Sequence, residues 1–279
     1  MLINQAAKAP PAFFSRPYIN KDSLDAGGIV VSSGDSYRKR LYDMVRETQW
    51  TSAGEDTDGV EASIDAKFYI GATQNPQAVD CIALMNHNLQ RFIVEYSLSG
   101  GSWTTVPGLD FTATDYTASD YSDADLILSL AAPITMDRLR VRATHTQTPN
   151  QEKLVGLLLP LSALFQPTKG GILTPQPEES VVTVELADMS KDMTTFLRGD
   201  AGFVYERWDV NFPGLPIAEL ANFKARRGAR FTFMPQPGDA ETDIFVCRFV
   251  PGTMRYPWST PANRNYVNFS GRIEETGGA

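Results

Sequence analysis

The two histidines, His87 and His145, are the first residues to test for chemistry, because imidazole moves a proton near neutrality more readily than any other side chain. His87 sits in Asn86-His87-Asn88-Leu89, directly after an apolar run, and His145 in Thr144-His145-Thr146. Neither has a Gly-x-Ser-x-Gly elbow or another nucleophile signature beside it. Both read as structural or solvated, and no catalytic residue is assigned. Two Cys and two His are too few for a zinc site of ordinary spacing. Cys81 and Cys247 each lie inside an apolar run, which reads as two buried thiols in separate domains and fits assembly in a reducing cytoplasm. Ser32-Ser33-Gly34-Asp35 lacks the lysine of a phosphate-cradling loop.

Carboxylates cluster at Glu55, Asp56 and Asp58, and again at Asp115, Asp120, Asp123 and Asp125. Neither cluster follows the EF-hand spacing, so solvated acidic loops are expected, with an oxygen site for Ca²⁺ as the alternative. A cell-wall hydrolase would use such groups as acid and base. Loop aspartates give no reason to expect the fixed separation across a cleft which that chemistry needs. Tyr116, Asp120 and Tyr121 combine ring faces with acceptors and are the candidate glycan contacts. Phe13, Phe14 and Tyr18 are rings without a local periodic partner; they read either as a strand packed on its own domain or as an arm that docks on a neighbouring subunit. Lys224, Arg226, Arg227 and Arg230 are a basic cluster in an acidic chain. They form a solvated helix face or a contact with an acidic neighbour. Arg198-Gly199-Asp200 reads as a turn.

The elements that position these residues are mostly strands. Ser63 to Ile70 alternates apolar with polar, Cys81 to Met85 is a short buried run, and Phe92 to Tyr96, Trp103 to Val106, Leu126 to Leu130 and Leu139 to Ala143 continue the series. Close spacing with Gly, Asn, Asp and Pro between runs predicts a sandwich or jelly roll over 25–166. A short helix is predicted over Ser36 to Val45, with Asp35 or Ser36 as its cap. Residues 1–24 form an arm, and the Pro- and Gly-rich stretch 167–181 a linker. Residues 182–279 read as strands at Val182–Leu186, Trp208–Phe212, Arg230–Met234, Ile244–Val250 and Tyr266–Ile273. Between the second and third lies a helix over Pro216 to Arg226, with Gly228 suited to its C-terminal cap. That order predicts a small antiparallel α+β domain. No repeat of solenoid period appears.

A net charge of −8 is the opposite of what a duplex-binding protein shows. The longest apolar run, Leu154 to Leu164, is broken by Gly156 and Pro160 and is too short to span a bilayer. Met1 to Pro11 has no apolar core of signal-peptide length.

Several of these strings together resemble a known family. Ser32-Ser33-Gly34, Leu41-Tyr42-Asp43 and Thr48-Gln49-Trp50-Thr51-Ser52 resemble the opening of discoidin-like modules in phage virion proteins. Ile82 to Leu89 looks like their ALxxHNL strand and loop. Tyr96-Ser97 to Val106 is similar to their SxDGxxWTxV hairpin, with Gly100-Gly101 where Asp-Gly is usual, and Leu139 to Arg142 matches the next core strand. This likeness covers residues 30–165. The remainder is similar to minor tail and distal-tail proteins of long-tailed phages, through Trp208, Phe212, Leu220, Phe223, Arg227-Gly228, Phe231, Phe233, Pro235, Cys247 and the closing strand Val267 to Glu275.

The resemblance implies a mainly β chain: an N-terminal discoidin- or galactose-binding-like jelly-roll sandwich, then an antiparallel α+β domain of tail-protein type. It implies a non-enzymatic component of a phage tail tip, an oligomeric ring or adaptor between tail tube and tip proteins or fibres. Such a protein is located in the virion tail after assembly in the host cytoplasm. Its partners would be copies of itself, other tail proteins and a host-surface glycan, with no nucleic acid, no membrane span and no cofactor. The rival expectation is a host-surface carbohydrate-binding adhesin module, and a further one is a cell-wall-degrading enzyme.

Overall fold

The structure, a computed structural model, describes residues 12–15, 17–42, 49–116, 126–167, 172–175, 184–186, 194–196, 207–234, 244–260 and 263–275. Asp120, Tyr121, Asp123, Asp125 and the Arg198-Gly199-Asp200 string lie outside these residues. The chain is mainly β and its sheets are antiparallel. It divides into two compact units, one spanning Phe13–Phe165 and the other Gln166–Thr276.

The first unit begins with β1 (Ala12–Phe14), α1 (Lys21–Asp25) and β2 (Ile29–Val31). After a 3₁₀ turn come β3 (Trp50–Thr51), β4 (Ala62–Lys67), β5 (Tyr69–Ile70), β6 (Thr73–Gln74) and β7 (Gln77–His87). β8 (Leu89–Ser97), β9 (Thr104–Asp110), β10 (Leu126–Met136), β11 (Arg138–Thr146), β12 (Leu154–Leu161) and β13 (Ala163–Phe165) complete it. One sheet has the order β2-β4-β11-β8-β9 and the other β10-β7-β12-β3. Both contribute to a single buried cluster, so the unit is a β-sandwich.

Alternation in the sequence decides which side chains enter that cluster. On β4, Ala62, Ile64 and Ala66 point inward; their register partners on β11 are Ala143, Val141 and Leu139, which pair in turn with Phe92, Val94 and Tyr96 of β8. β7 is buried without a break from Cys81 to Met85, and β12 from Val155 to Leu161. Strands covered on both faces read as unbroken apolar runs, as these two do.

The outward residues of β11 are arginines, and each meets a carboxylate across the sheet. Arg138 pairs with Asp65, Arg140 with Glu95 at 2.8 Å, and Arg142 with both Glu95 at 2.9 Å and Glu61 at 3.0 Å. Trp103 lies under the guanidinium groups of Arg138 and Arg140, with centroid distances of 4.8 and 4.1 Å. Burial alone would push the Glu95 carboxyl up; hydrogen bonds from Arg142 and Arg140 outweigh it and hold the group below the ordinary carboxylate range.

Two expectations change here. Instead of an α-helix over Ser36 to Val45, Asp35–Leu41 forms a 3₁₀ helix, capped by Gly34 with no side-chain bond. Gly34 has φ +67°, and a Cβ there would come within 1.8 Å of the Thr51 carbonyl oxygen, so no Asp or Ser can take the cap position. Residues 13–24, set apart as an arm in the sequence, are built into the sandwich unit. Phe13 pairs with Phe165 in the β1–β13 ladder, and its ring stacks on that of Phe165 at 4.5 Å. Tyr18 donates to Ser162 Oγ at 2.6 Å.

The second unit contains β14 (Ile172–Pro175), within the predicted linker, then β15 (Val184–Leu186), β16 (Thr194–Phe196) and β17 (Arg207–Pro216). α2 (Ile217–Ala225), β18 (Arg230–Met234), β19 (Phe245–Phe249), β20 (Trp258–Thr260) and β21 (Asn263–Glu275) follow. Its main sheet runs β18-β19-β21-β17-β14, with β20 paired to β21. The core is aromatic: Phe223 of α2 stacks on Phe269 at 4.1 Å, and Phe212, Phe231 and Phe249 surround them. α2 begins after Pro216 and is followed by Gly228 at φ +74°, as predicted. Of the helix's apolar residues at near-helical spacing, Ile217, Leu220, Ala221 and Phe223, only Leu220 and Phe223 are buried; Ile217 and Ala221 face outward. No helix among the described residues is long and apolar enough to cross a membrane.

Candidate functional site

β8 starts beside a cluster that draws on four parts of the sandwich unit. Tyr116 is tied to the strand by its backbone, whose N–H donates to the Gln90 carbonyl at 2.9 Å. Its ring sits 5.2 Å from Phe111, 5.3 Å from His87 and 5.7 Å from Phe92, half-buried at the edge of the core. One residue away on each partner, Arg91 Nε meets Asp115 Oδ1 at 2.6 Å. Both side chains are about two-fifths exposed, so the pair offers guanidinium donors and carboxylate acceptors to solvent. His145 is the register partner of Arg91 on β11, and its Nδ1 lies 2.9 Å from Thr144 Oγ1. A planar donor fork, a carboxylate and an aromatic edge can grip vicinal hydroxyls.

His87 supports this cluster from beneath. Its Nδ1 accepts from the Leu89 N–H at 3.2 Å, while Nε2 is buried and has no hydrogen-bond partner among the described residues. Burial pushes its pKa down to about 3, so the ring is neutral and acts as packing.

Of the predicted glycan contacts, Tyr116 is part of this cluster, and Asp120 and Tyr121 lie outside the described residues. Arg91 was missed. It faces outward from an apolar strand and gains meaning only through Asp115, 24 residues later.

The acidic loop Glu55, Asp56 and Asp58 already holds a cation supplied by the chain. The side chain of Lys153 is buried, and its ammonium donates to the carbonyls of Glu55 and Thr57. Ser52 and Lys153 also exchange bonds: Lys153 N–H donates to Ser52 Oγ at 2.8 Å and Ser52 N–H to the Lys153 carbonyl at 3.0 Å. Burial pushes the Lys153 amine down, against the pull of Asp58, Glu55 and Asp56. Glu55 accepts from the Ser32 and Ser33 hydroxyls. No group of three His, Cys, Asp or Glu side chains suited to a metal occurs among the described residues.

In the second unit the predicted basic residues do not act together. Lys224 lies over the Tyr256 ring, 4.7 Å from its centroid. Arg226 Nε is buried without a partner among the described residues, Arg227 is exposed and Arg230 is half-buried. Beside Lys224 is an open groove lined by Ile217, Leu220, Ala221, Tyr256, Trp258 and Val267. Phe13 and Phe14 are buried, and Tyr18 is half-buried against Phe68. Both cysteines are buried thiols, as predicted; burial pushes the Cys81 thiol up to about 12.

No family model and no curated protein matches the chain. Solved structures similar to part of it include a family 32 carbohydrate-binding module from a family 31 glycoside hydrolase of Clostridium perfringens. That match has 19% identity, covers 50% of this chain and 94% of that one, and has a TM-score of 0.37. The family 32 module of C. perfringens NanJ, solved with galactose, matches at 12% identity over 55% of this chain and 99% of that one, with a TM-score of 0.38. A chitosan-binding module of a Paenibacillus sp. IK-5 chitosanase/glucanase matches at 19% identity over 47% and 91%, with a TM-score of 0.34.

Proposed function

We propose that this chain is a non-catalytic recognition and assembly protein whose sandwich unit binds carbohydrate at the Tyr116 end. The carrying observation is the solvent-facing Arg91–Asp115 pair, whose carboxylate is next in sequence to the half-buried Tyr116. Arg91 would donate to paired sugar hydroxyls, Asp115 would accept from them, and the phenol would cover an apolar sugar face. A printed array of host-surface glycans tests this. At least one glycan is expected to bind, and Arg91→Ala should weaken it about tenfold or more with the melting temperature unchanged. An array without a hit overturns it.

The finer setting we propose is the tip of a phage tail, supported by the ordered motifs of residues 30–165 and 182–279. There the second unit would fasten the chain to copies of itself and to tail proteins. A specific observation favours such a surface: three large rings, Tyr256, Trp258 and Tyr266, stand exposed on this unit together with Ile217. Electron microscopy of the purified chain, alone and mixed with tail particles, should show closed rings or decorated tips. Strict monomers that leave tails bare would rule the setting out.

A further inference from the structure

The acidity of the chain is unevenly distributed. Residues 207–275 carry nine Lys and Arg against seven Asp and Glu, whereas residues 1–206 carry sixteen against twenty-six. The β17–β21 part of the second unit therefore carries a slight positive balance, although the whole unit, Gln166–Thr276, has twelve Lys and Arg against fourteen Asp and Glu.

In that part a groove of about 270 Å³ runs between the solvent face of α2 and the segment leading through β20 into β21. Ile217, Leu220, Ala221 and Lys224 recur along one face of the helix and form one wall; Tyr256 and Trp258 form the other, over Val267. Trp258 is 49% exposed and Ile217 42%, an unusual state for such large apolar groups side by side. Contact with the Tyr256 ring holds the Lys224 ammonium at the groove's edge. Walls this poor in hydrogen-bonding groups leave most of a sugar's hydroxyls without partners. They suit an apolar knob with a carboxylate next to it.

The first unit has such a knob. Val60 is 45% exposed between Asp58 and Glu61, with Asp56 also exposed on the same loop. The buried Lys153 ammonium fixes the base of that loop through Glu55 and Thr57, so little ordering would be lost on docking.

We propose that the groove between α2 and β20–β21 docks the Asp56–Glu61 loop of a second copy of this chain, with Val60 against Ile217 and Trp258 and Asp56 facing Lys224. The contact deepens the assembly role proposed above and rests on it. It joins two different surfaces, so it propagates from copy to copy into a ring or a filament.

Sedimentation velocity on the full chain at low and high salt tests it. The wild type is expected to self-associate, more weakly as salt rises. Trp258→Ala should raise the dissociation constant about thirtyfold. Lys224→Glu and Asp56→Lys should each raise it about tenfold, and combining them should restore most of the loss. All three positions are exposed, and circular dichroism checks that the variants fold. Association unmoved by these changes overturns the docking and leaves assembly through another surface standing. A chain that stays monomeric also overturns it, and if that chain fails to bind tail tips the assembly role falls as well.

Discussion

The two units handle their surfaces in opposite ways. On the sandwich, the outward arginines of β11 are each matched by a carboxylate of the neighbouring strands, and Trp103 is covered by two guanidinium groups. On the second unit, aromatic rings form the core and further rings remain outside, at Tyr256, Trp258 and Tyr266. A sheet face whose polar groups are all engaged gains little from a partner. An apolar surface in water gains from being covered. The proposed recognition falls at the loop end of the sandwich, where Arg91 and Asp115 stay accessible, and the proposed association at the α2 side of the second unit.

The largest expected effect separates the two cores. Phe223 contacts Phe212, Phe249 and Phe269, so Phe223→Ala should cost the second unit about 3–5 kcal/mol, read as a shifted denaturant midpoint. The sandwich transition, followed by the fluorescence of buried Trp50, should stay in place; equal shifts in both would show that the cores are not separate.

Next comes the pH dependence of the sandwich. The folded pKa of His87 is lowered to about 3, against an unfolded value near 6.5, so the unfolded chain binds the extra proton between these limits. Stability therefore falls as pH drops from about 6.5 toward 3, by several kcal/mol in all. His87→Leu should flatten that limb in urea titrations, and an unchanged slope would place the histidine in contact with solvent.

The smallest effect belongs to the arginine lattice. The folded pKa of Glu95 is depressed, so its contribution is present above the unfolded carboxylate pKa and is lost as pH falls through the folded one. Glu95→Gln should cost about 1–2 kcal/mol at neutral pH and remove that acid loss. A neutral substitution would mean that the lattice orders the face without stabilising it.

Much of this was legible in the sequence where a single period governed the residues. Ile64 and Ala66 announced β4 because one face is buried. α2 was marked by Pro216 and Gly228, which act locally through φ. Which helical residues would be buried was not legible, since Tyr256 and Trp258, which form the far wall beside Ile217, come about forty residues later. The Asp35–Leu41 turn was misread as α-helical because the approach of Gly34 to Thr51 depends on tertiary structure. Lys153 was invisible for a similar reason: hydropathy places lysine outside, and only the carbonyls of Glu55 and Thr57 make its burial tolerable.

That lysine has a consequence for where the chain can work. The positive charge that shapes the acidic loop is attached by covalent bonds, so its occupancy is fixed when the chain is made. Chelators cannot strip it.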